Sequence, residues 1–90
     1  MTPRFVRPER LAVARARDGS LFVMPLPDGP PRALNGSAEV IWEIAEAGSE
    51  RLVQDVAEAF DVDVDAIAGD VEDTLRSFVE LGILEEASQR

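Results

Sequence analysis

The spacing of apolar positions along the chain changes period once, near residue 35. Before that point, Leu11-Ala12-Val13-Ala14-Arg15-Ala16-Arg17 alternates by side, with Leu11, Val13 and the stems of Arg15 and Arg17 on one face. A period of two is the mark of a half-buried strand. Asp18-Gly19 follows and predicts a two-residue hairpin turn, because both residue types tolerate positive φ. Ser20-Leu21-Phe22-Val23-Met24 reads as the returning strand, limited by Pro25, which cannot donate to a ladder. Pro27-Asp28-Gly29-Pro30 predicts a second turn. Pro31-Arg32-Ala33-Leu34 predicts a short third strand, and its flanking prolines place it at a sheet edge.

After Leu34 the period becomes helical. Gly36 lets the chain turn, and Asn35 or Ser37 is suited to cap a first helix. Ala38, Ile41, Ile44 and Ala45 form its apolar stripe, and Gly48 ends it. Ser49 is placed to cap a second helix, whose buried side is Leu52, Val53, Val56 and Phe60. Asp61 or Asp63 is placed to cap a third, where Val64, Ile67, Val71, Leu75 and Phe78 recur within a narrow arc. Gly82 reads as the residue just past its end, with Ile83 folding back on it. The fold class is therefore α+β and winged-helix-like, an N-terminal three-stranded antiparallel sheet packed on three helices. The short Asp61-Val62-Asp63 connection makes helices two and three resemble a helix-turn-helix. The 90 residues form a single domain, 1–90, with an ordered core of about 8–85 and loose ends at 1–8 and 86–90.

Composition narrows the chemistry. The chain has no Cys, His, Tyr or Lys. Thiolate nucleophiles, the commonest general base and metal ligand, and Schiff-base chemistry are all missing. A non-catalytic protein is expected, with no cofactor and no metal. Asp61, Asp63 and Asp65 have the opening spacing of a calcium loop, but its sixth position, which needs Gly, is Ala66. Helix caps and a solvated face account for these acids better. No apolar run approaches the ~20 residues of a membrane span, and no signal-peptide block precedes the first strand. The expected location is the cytoplasm, with no membrane partner.

Charge is unevenly divided. Residues 1–35 carry six arginines against Glu9, Asp18 and Asp28, a net +3, and residues 36–90 carry Arg51, Arg76 and Arg90 against fifteen acids, a net −12, which together give the −9 of the chain. The third helix holds Asp65, Asp70, Glu72, Asp73 and Glu80 against Arg76 alone. A DNA-reading helix needs the opposite sign, so nucleic acid is not an expected partner. Trp42 sits off the centre of the first helix's stripe. It is either a half-buried packing residue or an aromatic on a protein-contact surface.

The third strand carries functional content. An edge offers unpaired N–H and C=O groups to an extended peptide. Pro30 and Pro31 either protect that edge or border a strand-addition site.

The chain from residue 8 to 85 resembles the PqqD-like family, the recognition elements that bind leader peptides of ribosomally synthesised, modified peptides (RiPPs). The resemblance rests on the strand-rich opening and on "ALNGSAEVIWEI". It continues through "SERLVQDVAEAFDVDVDAIAGDVEDTLRSFVELGILEE", with its short helix, acidic spacer and closing Gly-Ile-Leu. Pro30-Pro31 departs from the pattern, since many relatives have aromatic or aliphatic residues there. The resemblance implies a leader peptide added as a strand against the third strand, in a groove closed by the third helix. On this sequence the strand side is Pro31, Arg32, Ala33 and Leu34. The helix side is Asp70, Thr74, Ser77 and Leu81, beside the inward-facing Val71 and Phe78. The flank of Glu72, Arg76 and Val79 is not chosen. The implied partners are a precursor (leader) peptide and a modifying enzyme, either a leader peptidase with its cyclase, as for lasso peptides, or a radical enzyme. A chain of this length looks like a free-standing element. Two other readings stand beside it: an acidic winged-helix regulator and a structural subunit of a larger complex.

Overall fold

The computed structural model describes residues 4–87. Its elements run β1 (Phe5–Val6), β2 (Leu11–Arg15), β3 (Leu21–Pro25), β4 (Arg32–Leu34), α1 (Ser37–Glu46), α2 (Leu52–Phe60), α3 (Val64–Glu80) and β5 (Glu85–Glu86). Strands β2-β3-β4 form an antiparallel three-stranded sheet with β4 at one edge. The α+β class and the βββααα core are as the sequence predicts.

The ends differ from expectation. β1 pairs antiparallel with β5, Phe5 opposite Glu86 and Val6 opposite Glu85. Phe5 is buried and belongs to the core, so residues 5–8 are not a loose lead-in. One apolar side chain with a hole to fill outweighs the entropy of a short terminal segment. The expectations for residues 1–3 and 88–90 lie outside the described residues.

The first hairpin is wider than predicted. Ala16 N–H donates to Ser20 O at 2.8 Å and Gly19 N–H to Ala16 O at 3.0 Å, so the loop is Arg17-Asp18-Gly19. Only Gly19 has positive φ, at 95°. The geometry is a type I turn closed by a left-handed glycine rather than a two-residue turn. Asp18 contributes through its carboxylate, which accepts from Ser20 N–H at 2.9 Å. Arg17 therefore lies in the loop and not on the strand face. Arg15 does lie on the inner face, where it donates to Glu39 and Glu43 of α1, each at 2.9 Å.

The helices stop where predicted, with one residue in a different role. Past α3, Gly82 (φ 79°) sends its N–H to Val79 O, and Ile83 N–H reaches Phe78 O at 3.1 Å. This is the paired-bond ending that a left-handed C′ glycine permits. Asp61 makes the same ending for α2 at φ 56°, with Val62 N–H bonded to Ala57 O at 3.0 Å. It terminates α2 instead of capping α3. The expected side-chain caps at Asn35, Ser37, Asp61 and Asp63 do not form. Ser49 bonds ahead of α2 instead, accepting from Arg51 N–H at 3.1 Å and donating to Asp55 at 2.5 Å.

The core joins the inner sheet face to all three helices, with Val23 and Ile83 wholly buried. Trp42 is 1% exposed, so it is neither half-buried nor a contact-surface aromatic. Arg7 lies over its ring, 5.6 Å from the centroid. Phe60, expected inside, is 39% exposed, because the sharp turn at Asp61 leaves the last residue of α2 at the rim. Among the described residues no helix is long and apolar enough to cross a membrane.

Candidate functional site

The hydrogen bonds that close the first hairpin fix which backbone groups of β4 are free. Ala16–Ser20 and Arg10–Leu26 are hydrogen-bonded across the β2–β3 pair. In an antiparallel ladder such pairs alternate, and each residue points its N–H and C=O to one side. Ser20, Phe22 and Met24 thus point their backbone groups toward β2, and Leu21 and Val23 point theirs toward β4. The β3–β4 register places Leu21 opposite Leu34, Phe22 opposite Ala33 and Val23 opposite Arg32. Arg32 and Leu34 spend their backbone groups on β3. Ala33 turns both its N–H and its C=O to the open edge.

Side chains follow the same alternation. Leu34 is buried, while Arg32 and Ala33 are exposed, Arg32 on the core side and Ala33 on the outer face. Pro31 lies just before the strand, is exposed, and brings no N–H. The open edge is therefore short and centred on Ala33.

α3 runs antiparallel to β4. A Cβ on Gly82 would lie 3.7 Å from Pro25 Cγ, which sets the end of α3 against the end of β3, near Arg32. At the other end, Ser37 shares a cleft with Asp70 and Thr74. The backbone of α3 packs on α1 and α2, and that of β4 on β3. The cleft has a volume of about 220 Å³. Its walls are Ile41 of α1, Val56 and Phe60 of α2, and Ile67 and Val71 of α3, with Ser37, Asp70 and Thr74 as polar lining.

Of the residues singled out from the sequence, the cleft brings together Asp70, Val71 and Thr74. Val71 and Phe78 are buried, at 2% and 4% exposure. Ser77 is exposed and Leu81 half-buried further along α3. Thr74 Oγ1 donates to Asp70 O at 2.9 Å, so its hydroxyl proton is already engaged. On the flank not chosen, Arg76 is held by Asp73 at 3.0 Å. Sequence reasoning missed Ser37, Ile41, Val56, Phe60 and Ile67 as cleft residues. Phe60 had a readable signal, since it stands directly before the Asp61-Val62-Asp63 turn, where a helix runs out of neighbours to bury its last side chain.

Among the described residues no group of three or more acidic side chains converges to hold a metal ion. What the chain offers is an unpaired strand segment carrying Arg32, and an apolar cleft bordered by Asp70. Such an arrangement suits recognition of an extended chain.

The family model of Coenzyme PQQ synthesis protein D (PqqD) matches residues 21–84. The chain belongs to the PqqD family. The match begins with β3 and closes on Leu84, so it takes in the open edge, the cleft and all three helices of this PqqD-family chain. Among solved structures, the chain is similar to TbiB1 in complex with the TbiA(beta) leader peptide, with a TM-score of 0.75 and 22% sequence identity over 93% of this chain and 99% of that one. At that identity the likeness concerns the fold. A search of curated proteins gave no significant match.

Proposed function

We propose that this PqqD-family chain binds the leader segment of a ribosomally synthesised precursor peptide by strand addition at β4, and presents it to a modifying enzyme. The observation that carries the reading is the outward N–H and C=O of Ala33 at an open sheet edge, in a chain that also has an apolar cleft between its three helices. Backbone bonds to Ala33 tolerate many guest sequences, and an apolar guest side chain in the cleft supplies selection. Pro31, Arg32, Ala33 and Leu34 form the strand wall. Asp70, Thr74, Ser77 and Leu81 form the helix wall, over the buried Val71 and Phe78. The structural likeness to a protein bound to a leader peptide and the membership of the PqqD family support this. The chain acts as a recognition protein and not as an enzyme, in the cytoplasm where precursors are made.

Delivery needs a second surface. The outer face of the sheet carries Ala12, Ala14, Phe22, Met24 and Ala33. Solvated sheet faces are ordinarily polar, and this one is apolar, with Phe22 39% exposed. It adjoins the edge where the guest docks, so an enzyme seated there meets the guest as well. The enzyme is a leader peptidase with its cyclase, or a radical enzyme. A regulator that reads DNA is disfavoured, because Asp65, Asp70, Glu72, Asp73 and Glu80 are all exposed on α3.

The test is an NMR titration of labelled protein with a synthetic leader peptide from a short reading frame beside the gene. Amide shifts centred on Ala33, Asn35 and Thr74, with a dissociation constant between micromolar and nanomolar, are expected. Shifts confined to α2 or to the β1–β5 pair would remove the reading. Buried Trp42 is a poor fluorescent reporter of such binding.

A further inference from the structure

Arg32 is a cation on the core side of an open strand edge. It stands directly opposite Val23, which is wholly buried, so the two side chains leave the same face of the sheet. Yet Arg32 is exposed. The ion pairs among the described residues engage Arg4, Arg7, Arg15, Arg51 and Arg76, and none includes Arg32. An inward-pointing charge on an edge strand is a known protection against indiscriminate pairing. An apolar guest strand would cover this guanidinium without replacing its water, which is unfavourable. A guest with a carboxylate at that position would turn the same group into an attraction.

The ladder geometry says which guest position this is. Because Ala33 is the residue whose backbone faces outward, guest residues opposite Arg32 and Leu34 occupy non-hydrogen-bonded pairs. Side chains approach most closely at such pairs. The opposite end of the groove has the opposite sign, since Asp70 lines the cleft, is exposed and has no ion-pair partner among the described residues. An acidic guest residue is thus welcome at the Arg32 end and repelled at the Asp70 end.

We propose that Arg32 is a specificity-determining residue of the docking edge, selecting guest peptides that place Asp or Glu opposite it, two positions from the apolar residue opposite Leu34. For a guest antiparallel to β4, the pattern read from N to C is apolar-x-acidic. The proposal rests on strand addition at β4.

The test is selection of a random peptide library, displayed on phage, against the whole protein and against Arg32→Glu and Arg32→Gln. The Arg32 side chain makes no hydrogen bond or ion pair among the described residues, and circular dichroism checks that all three fold alike. The expected result is enrichment of apolar-x-acidic peptides by the wild type, replacement of the acid by Lys or Arg with Arg32→Glu, and loss of charge preference with Arg32→Gln. One enriched peptide, resynthesised with its acid as the amide, should bind the wild type about tenfold more weakly and Arg32→Gln unchanged. Enriched peptides with no acidic preference at that position, or with the same preference in all three proteins, overturn the role of Arg32 and leave strand addition standing. Failure of every protein to enrich any peptide overturns both.

Discussion

Trp42 donates its indole N–H to the carbonyl of Ile83 at 2.9 Å, inside the core. This bond ties the middle of α1 to the turn that ends α3, and both residues are 1% exposed or less. Phenylalanine at position 42 would keep most of the apolar surface and leave a buried carbonyl without a donor. An orphaned buried acceptor costs about 1–3 kcal/mol, and the smaller ring adds a cavity. Trp42→Phe should lower stability by about 2–4 kcal/mol in urea unfolding followed by circular dichroism. An unchanged midpoint would mean that the indole bond contributes nothing.

Neighbouring positions in β4 should respond oppositely to proline. The N–H of Ala33 faces the open edge, and that of Leu34 faces β3. Proline is tolerated in edge strands where its missing N–H faces solvent. Ala33→Pro should leave thermal stability within about 1 kcal/mol of wild type and weaken leader-peptide binding tenfold or more. Leu34→Pro should lose folding along with binding. Calorimetric titration and melting curves on the two variants separate these outcomes. Equal binding by Ala33→Pro and wild type would place the guest elsewhere.

Much of this molecule was readable from the spacing of its side chains. The change from period two to helical period gave the three-stranded sheet and the three helices, and Gly82 marked the end of α3 correctly. β1 was not readable, because Phe5 is one apolar residue among polar neighbours and its partner strand lies at the far end of the chain. Trp42 looked peripheral on the helical wheel for a related reason, since Arg7 and Ile83, which cover it, come from distant segments. At the site, the edge position of Arg32–Leu34 followed from the prolines. The outward direction of Ala33 did not, because it depends on whether the first hairpin closes with two loop residues or with Arg17-Asp18-Gly19. Phe60 carries two conflicting signals, its helical spacing and its place directly before the Asp61-Val62-Asp63 turn. Its spacing belongs to the buried stripe, and only the αL turn at Asp61 leaves it at the cleft.

The cleft supplies a pair of substitutions that separate binding from folding. Phe60 is 39% exposed and lines the cleft, whereas Val71 lines it from a fully buried position. Phe60→Ala should reduce stability by about 1–2 kcal/mol, less than a fully buried phenylalanine would cost, since 39% of its surface already meets water, and should weaken peptide binding tenfold or more. Val71→Ala should destabilise by about 2 kcal/mol through lost packing. Urea titrations alongside peptide titrations distinguish the two. A Phe60→Ala protein that binds as well as wild type would show that the cleft takes no guest side chain.

The hairpin that sets the sheet register carries a titratable latch. Ser20 N–H donates to the Asp18 carboxylate at 2.9 Å, and this bond holds the Asp18 carboxyl below its ordinary value of 3.8. A carboxylate with a depressed folded value favours the folded state fully above its unfolded value, and that contribution disappears as pH falls through the lower folded value. The latch is therefore intact at neutral pH and opens in acid, below 3.8. Asp18 is solvent-exposed, so the effect is local to the turn. The Ser20 amide proton shift should titrate with a midpoint below that of Asp in a short peptide. Asp18→Asn keeps an acceptor and loses the titration, so its Ser20 amide should stay flat across the same range. A wild-type midpoint at or above the peptide value would mean that the Asp18–Ser20 bond is not formed in solution.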